Sequence, residues 1–143
     1  MRHGSCLCQS IRYEIKGDRL AVVHCHCQFC RKAHGAAYTT LLFMPFSDLE
    51  LTEGAQYLAR YHIQKLSADR CFCAKCGTRL YNHATSRGII SLVVASLDEG
   101  EHLRPVAHIN IESKLPSLQI SDGLPQFLTM PGPVEFRQLL AGW

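Results

Sequence analysis

His24-Cys25-His26-Cys27-Gln28-Phe29-Cys30-Arg31-Lys32-Ala33-His34-Gly35 places three cysteines and three histidines within the eleven positions from His24 to His34. On an extended backbone Cys25 and Cys27 project from the same side, because side chains alternate across a strand. Both thiols can then reach one ion. A turn after Gln28 that starts a helix brings Cys30 back to that point, and the free backbone N–H groups at a helix start favour its thiolate. The spacing therefore predicts three soft, anionic ligands converging on a strand-to-helix junction. The helix is expected over Gln28–His34, closed by Gly35.

The spacing Cys-x-Cys-x-x-Cys returns at Cys71, Cys73 and Cys76, and a lone Cys-x-Cys stands at Cys6 and Cys8. These are eight cysteines in 143 residues, a length that fits one domain over 1–143. The start, Met1-Arg2-His3-Gly4, lacks the apolar run of a secretory signal, and no stretch approaches the length of a bilayer span. A soluble, cytoplasmic protein is expected. In that compartment thiols stay reduced, so the clusters point to metal binding or catalysis before disulfides. A formal net charge of +3, with the basic residues scattered, excludes a nucleic-acid surface and leaves small molecules as partners.

Around the cysteines the pattern is that of short strands. Ile11–Ile15 alternates apolar and polar, Gly17-Asp18 breaks the run, and Leu20–Val23 leads as a strand into the central cluster. Ala36–Met44 is rich in sheet formers and ends at Pro45. Leu49–Thr52 and Gln56–Tyr61 read as a pair joined around Gly54. Cys73-Ala74-Lys75-Cys76-Gly77 reads as a zinc knuckle between two strands, its glycine permitting the backbone angles that turn amides toward sulfur. Ile89–Ser96 reads as one continuous apolar strand and Val106–Ile111 as another, with a short helix near Val134–Leu140. The whole is a mostly β chain with few helices.

Two allocations of the sulfurs satisfy the spacings. In one, Cys6, Cys8, Cys73 and Cys76 close a tetrahedral site, leaving Cys25, Cys27 and Cys30 with a vacant corner; in the other, Cys71 is drawn into one of the sites. Spacing does not choose between them. Chemistry favours the first, because a saturated four-thiolate site serves stability while three protein ligands leave a position for substrate. The competing reading makes both sites structural, with a histidine in the vacant corner.

Gly4-Ser5-Cys6-Leu7-Cys8 with Ile11-Arg12-Tyr13-Glu14, then Cys25-His26-Cys27-x-x-Cys30-Arg31-Lys32-x-x-Gly35, then Arg70-x-Phe72-Cys73-x-x-Cys76-Gly77-Thr78-x-Leu80 resemble the glutathione-dependent formaldehyde-activating family, which also includes centromere protein V. The match resumes weakly at Asp122-Gly123-Leu124-Pro125-Gln126-Phe127. The resemblance implies a zinc-stapled β-tent fold of short antiparallel strands. It implies a structural zinc on Cys6, Cys8, Cys73 and Cys76 and a second, more labile one on Cys25, Cys27 and Cys30. The family activity is the joining of glutathione and formaldehyde into S-hydroxymethylglutathione, or the reverse carbon–sulfur cleavage. Three positions depart from the family pattern. Gln9 replaces the usual glycine, Ser117 stands where many members have tryptophan, and Cys71 is additional.

A zinc held by three thiolates is a modest Lewis acid suited to a thiol substrate. Glutathione is the implied co-substrate and a small aldehyde its partner. His34, one turn after Cys30, is a candidate for moving the hydroxyl proton. Arg31, Lys32 and Arg70 are candidates for holding the carboxylates of glutathione or for offsetting thiolate charge. His24 and His26 alternate with the ligands and are expected to point away from the ion; Cys71 reads as a small buried side chain. The leading function is a zinc-dependent carbon–sulfur lyase or synthase; the other class is a non-catalytic interaction module of the same fold.

Overall fold

A computed structural model describes residues 1–17, 21–100 and 102–140; Asp18 and Leu20 of the sequence reading lie outside them. In chain order the elements are β1 (Arg2–Ser5), β2 (Arg12–Ile15), β3 (Ala21–Cys25), α1 (Gln28–His34), β4 (Thr39–Pro45), β5 (Leu49–Glu53), β6 (Leu58–Ile63), β7 (Ala68–Cys73), β8 (Arg79–Ala84), β9 (Ile89–Val93), β10 (Ala107–Ile109) and α2 (Pro133–Leu140). The fold is mainly β, as the sequence predicts. Among the described residues no helix is long and apolar enough to cross a membrane. The chain forms two compact units, Met1–Leu20 with Leu42–His102, and Ala21–Leu41 with Leu103–Trp143.

In the first unit β2 is the middle strand of an antiparallel sheet with order β1-β2-β5. Its alternation works as read: Tyr13 and Ile15 are buried while Arg12 is exposed. The Tyr13 hydroxyl lies 2.7 Å from Ser96 Oγ, which donates to the Val93 carbonyl, so the one polar atom this buried ring carries is satisfied. Strands β6 to β9 form an antiparallel ladder in chain order, with Leu80, Tyr81, Ile90 and Leu92 buried. Strand β9 stops at Val93, shorter than the predicted Ile89–Ser96, because Val94–Ser96 winds into a 3-10 turn.

The expected pairing of Leu49–Thr52 with Gln56–Tyr61 does not occur. Strand β5 pairs with β2 and β6 with β7. Gly54 takes φ 73° and opens a 3-10 turn at Ala55–Tyr57, which redirects the chain where a hairpin would have folded it back. A Cβ on Gly54 would lie 1.7 Å from the Ser10 carbonyl oxygen, so the turn is packed against backbone and admits only glycine.

Two tight turns complete this unit. In one, Gln9 N–H donates to Cys6 O and Ile11 N–H to Cys6 Sγ; in the other, Gly77 N–H donates to Cys73 O and Cys73 N–H to Thr78 O. Both turns place the residue after the second cysteine in the left-handed region, Gly77 at φ 77° and Gln9 at φ 59°. Gln9 therefore occupies a conformation that suits the glycine usual in the family, and its side chain is held by Arg12 at 2.7 Å.

In the second unit β3 and β10 pair in parallel, His24 opposite His108 and Cys25 opposite Ile109. Val22, Val23, Ala107 and Ile109 are buried, the apolar run expected of parallel strands. The ladder is extended by His26 N–H to Ile109 O, and the far side of β10 is covered by chain at 125–127 through His108 N–H to Pro125 O and Phe127 N–H to His108 O. Helix α1 is capped by Cys27, whose Sγ accepts from Cys30 N–H, and is closed by Gly35 at φ 59°.

Gly54→Ala should lower stability by about 3 kcal/mol, since left-handed strain and a backbone clash add; chemical denaturation of the metal-loaded protein measures it. Gln9→Gly should stabilise by about 0.5–1 kcal/mol, the left-handed penalty of ~1–2 kcal/mol less glycine's added chain entropy of ~0.5–1 kcal/mol. The same denaturation series reads both.

Candidate metal centres

Cys6 and Cys8 come from the turn after β1, Cys73 from the end of β7 and Cys76 from the turn before β8, and their four sulfurs lie within 4.8 Å of one another. Cys6 Sγ is 3.6 Å from Cys8 Sγ, which is 3.9 Å from Cys73 Sγ. A tetrahedron built on zinc–sulfur bonds of about 2.3 Å has an edge of about 3.8 Å. The spacing thus fits four thiolates on one ion and is far beyond a disulfide bond of about 2.05 Å. All eight cysteines are free thiols, so the disulfide alternative fails.

The surroundings prepare these sulfurs for negative charge. Ser10 Oγ lies 3.3 Å from Cys8 Sγ, Thr78 Oγ1 3.2 Å from Cys76 Sγ, and Ile11 N–H donates to Cys6 Sγ. The hydrogen bond from Thr78 pulls the Cys76 thiol down to about 5, and that from Ser10 lowers Cys8. Burial pushes Cys73 up to about 11. Leu7 N–H also donates to Thr78 Oγ1, locking the two turns together.

In the second unit Cys25 at the end of β3, Cys27 at the cap of α1 and Cys30 in its first turn bring their sulfurs within 4.8 Å of one another. Cys25 and Cys30 are buried. Asn110 Nδ2 donates to Cys25 Sγ at 3.3 Å and Cys30 N–H to Cys27 Sγ at 3.3 Å. Contacts among the three thiols raise Cys25 and Cys30, Cys30 the further because its contacts with Cys25 and Cys27 both raise it, whereas the contact with Cys30 lowers Cys25. Three converging thiols that resist ionising alone are a donor set in want of a cation. Both groups suit zinc, and the grouping is the one chemistry favoured.

Cys71 belongs to neither group. It is fully buried on β7 opposite Tyr81, and its sulfur is not among the four that converge. Burial raises its thiol. Arg31, Lys32 and His34 follow Cys30 on α1. Arg70 is buried on β7, in the unit that holds the four-cysteine group.

His26 stays out of the three-sulfur group, as its alternation with the ligands predicts, and is buried. It is 0% exposed, and its Nε2 lies 2.8 Å from His108 Nδ1, whose Nε2 in turn lies 2.7 Å from Asp122 Oδ2. Burial first, then the neighbouring His108, His24 and Lys114, push His26 down to about 4. The hydrogen bond from His108 lowers Asp122. Sequence reasoning gave His108 and Asn110 no role, and met Asp122 only as the start of the segment where the family resemblance resumes. The apolar run around His108 was a further signal, from which a parallel partner for β3 could have been inferred.

A crystal structure of a Rhodobacter sphaeroides protein, a structural genomics target, superposes with a TM-score of 0.57 at 21% identity, covering 87% of this chain and 98% of that one. It shares the fold. The family description "Glutathione-dependent formaldehyde-activating enzyme" matches residues 1–113, a span that includes every cysteine of both groups. On that match, and on the two sulfur clusters it encloses, the chain belongs to the glutathione-dependent formaldehyde-activating family.

Proposed function

We propose that Cys25, Cys27 and Cys30 hold a catalytic zinc and that Cys6, Cys8, Cys73 and Cys76 hold a structural one. The chain then makes or breaks the carbon–sulfur bond of a thiol–aldehyde adduct in the cytoplasm, with S-hydroxymethylglutathione the leading substrate. The observation that carries this reading is the three-sulfur group itself, which has no fourth histidine, cysteine or carboxylate among the described residues. Zinc bound there supplies Lewis acidity and favours the thiolate of an incoming thiol.

The chain's own residues do the rest. Asn110 and the Cys30 amide fix the sulfurs of Cys25 and Cys27 by hydrogen bonds, so the ligand set is oriented before substrate arrives. Arg31 and Lys32 follow Cys30 on α1 and are the residues we assign to the carboxylates of glutathione. His34 would give the proton that the aldehyde oxygen gains as the carbon–sulfur bond forms, and take it back as the bond breaks. Formaldehyde is already electrophilic, so bringing thiolate and carbonyl together supplies most of the catalysis. The two clusters have different settings. Hydroxyls lower Cys8 and Cys76 while burial raises Cys73, and contacts among the three thiols raise Cys25 and Cys30.

Metal analysis should give two zinc ions per chain, one leaving readily to a chelator. Cys27→Ser should lose the labile ion with stability changed by about 1 kcal/mol or less, since no saturated site is broken. Cys73→Ser should unfold the chain, because structural zinc contributes ~10 kcal/mol or more to folding, while Cys71→Ser should keep both ions. Exchange NMR of glutathione with formaldehyde should show acceleration by the zinc-loaded protein. Cys27→Ser should reduce that acceleration by at least the ~100-fold that loss of outer-sphere support alone can cause. No acceleration across a panel of thiols and aldehydes would move the chain to the non-catalytic interaction class.

A further inference from the structure

We propose that His24, His108 and Asp122 form a third divalent-cation site, built from nitrogen and oxygen donors and separate from both thiolate clusters. One donor atom from each of the three lies within 4.8 Å of the other two. They come from three places in the second unit: β3, the opposed position of β10, and the segment preceding Leu124. Two imidazoles and a carboxylate make a set that borderline ions such as cobalt(II), nickel(II) or iron(II) accept, with further positions left to water or a small anion.

The supporting contacts are those a ligand set requires. His108 Nδ1 is engaged by His26 Nε2 at 2.8 Å, which turns His108 Nε2 toward Asp122. His24 Nδ1 is engaged by Thr40 Oγ1 at 2.9 Å, which leaves Nε2 for a ligand role. Asp122 is itself fixed, its Oδ1 accepting from Leu124 N–H at 3.0 Å. Second contacts of this kind set the tautomer and aim of metal-bound imidazoles. Around them Tyr38 packs edge-on against His24 at 4.8 Å and tilted against His26 at 5.1 Å. The His108 side chain is 3% exposed and that of Asp122 40%, so the site has a low-dielectric floor and a wet edge by which an ion can enter.

Proton balance closes within the cluster. With Asp122 ionised, His108 Nε2–H donates to it, and His108 Nδ1 accepts from His26 Nε2–H. An ion displacing the Nε2 proton sends it to Nδ1 of the same ring, now a donor to His26 Nε2, and the His26 proton moves to its own Nδ1. That atom is buried and has no hydrogen-bond partner, so it is open to receive the proton. Ligands on an ion about 2.0–2.1 Å away sit about 3.3 Å apart in a tetrahedron. The 2.7 Å contact between His108 and Asp122 must therefore open by about 0.6 Å, a movement available to a partly exposed aspartate.

The test is a cobalt(II) titration of the full-length protein already carrying two equivalents of zinc. A third equivalent should bind with visible d–d absorption and without the near-ultraviolet sulfur-to-cobalt charge transfer that thiolate sites give. Asp122→Asn and, separately, His24→Gln should weaken it at least tenfold while leaving the two zinc ions and the melting temperature unchanged. Binding that stops at two equivalents, a third equivalent that shows sulfur charge transfer, or one that both variants retain would overturn the proposal. The three residues would then be a hydrogen-bonded chain only.

Discussion

Sulfurs held 3.6 and 3.9 Å apart set the terms for the first unit. Two full thiolates about 4 Å apart repel by about 4 kcal/mol at an effective dielectric of 20, so four of them assemble only around a cation. Once one is present the same crowding becomes folding energy, because the unfolded chain offers no such preformed site. The turns that carry the sulfurs begin next to β1 and lie between β7 and β8, so they add a joint between the three-stranded sheet and the β6–β9 ladder to the one at Tyr13 and Ser96. The left-handed backbone at Gln9 and Gly77 makes both turns tight enough for this, with strain at Gln9 and without it at the glycine.

The second unit groups similar atoms in a different setting. Among the contacts of its three sulfurs are an amide side chain and a helix-cap N–H, where those of the four-sulfur group include two hydroxyls and the Ile11 N–H. Thiols that ionise with difficulty hold a metal less tightly, because the proton competes for the same lone pair.

Local spacing carried most of what the sequence revealed. The cysteine groups, the seven residues of α1, its Gly35 cap and the knuckle at Cys73–Gly77 all depend on neighbours within a few positions, where alternation and turn chemistry decide. What the sequence hid depends on partners far along the chain. Pairing of β5 with β2 is set by the turn at Gly54 packing on Ser10, and His26 meets His108 across 82 positions through a parallel register that no local pattern encodes. Parallel strands joined by a long connection leave only an apolar run as their trace, and Val106–Ile111 was read as a strand without its partner.

Strand β3 and the residues after it do two jobs because of a period of two. Cys25 and Cys27 face one way; His24 and His26 face the other. The histidines nearest the three-sulfur centre in sequence are therefore the ones least able to fill its open corner. His24 is tied to Thr40 and His26 to His108, and neither joins the group of three sulfurs. Turning either ring toward the sulfurs would break those contacts and carry a buried imidazole across the strand, a rearrangement with a cost of several hydrogen bonds at about 1 kcal/mol each and more for any atom left unpaired. The alternative in which a neighbouring histidine saturates the centre thus loses its two nearest candidates through backbone alternation alone.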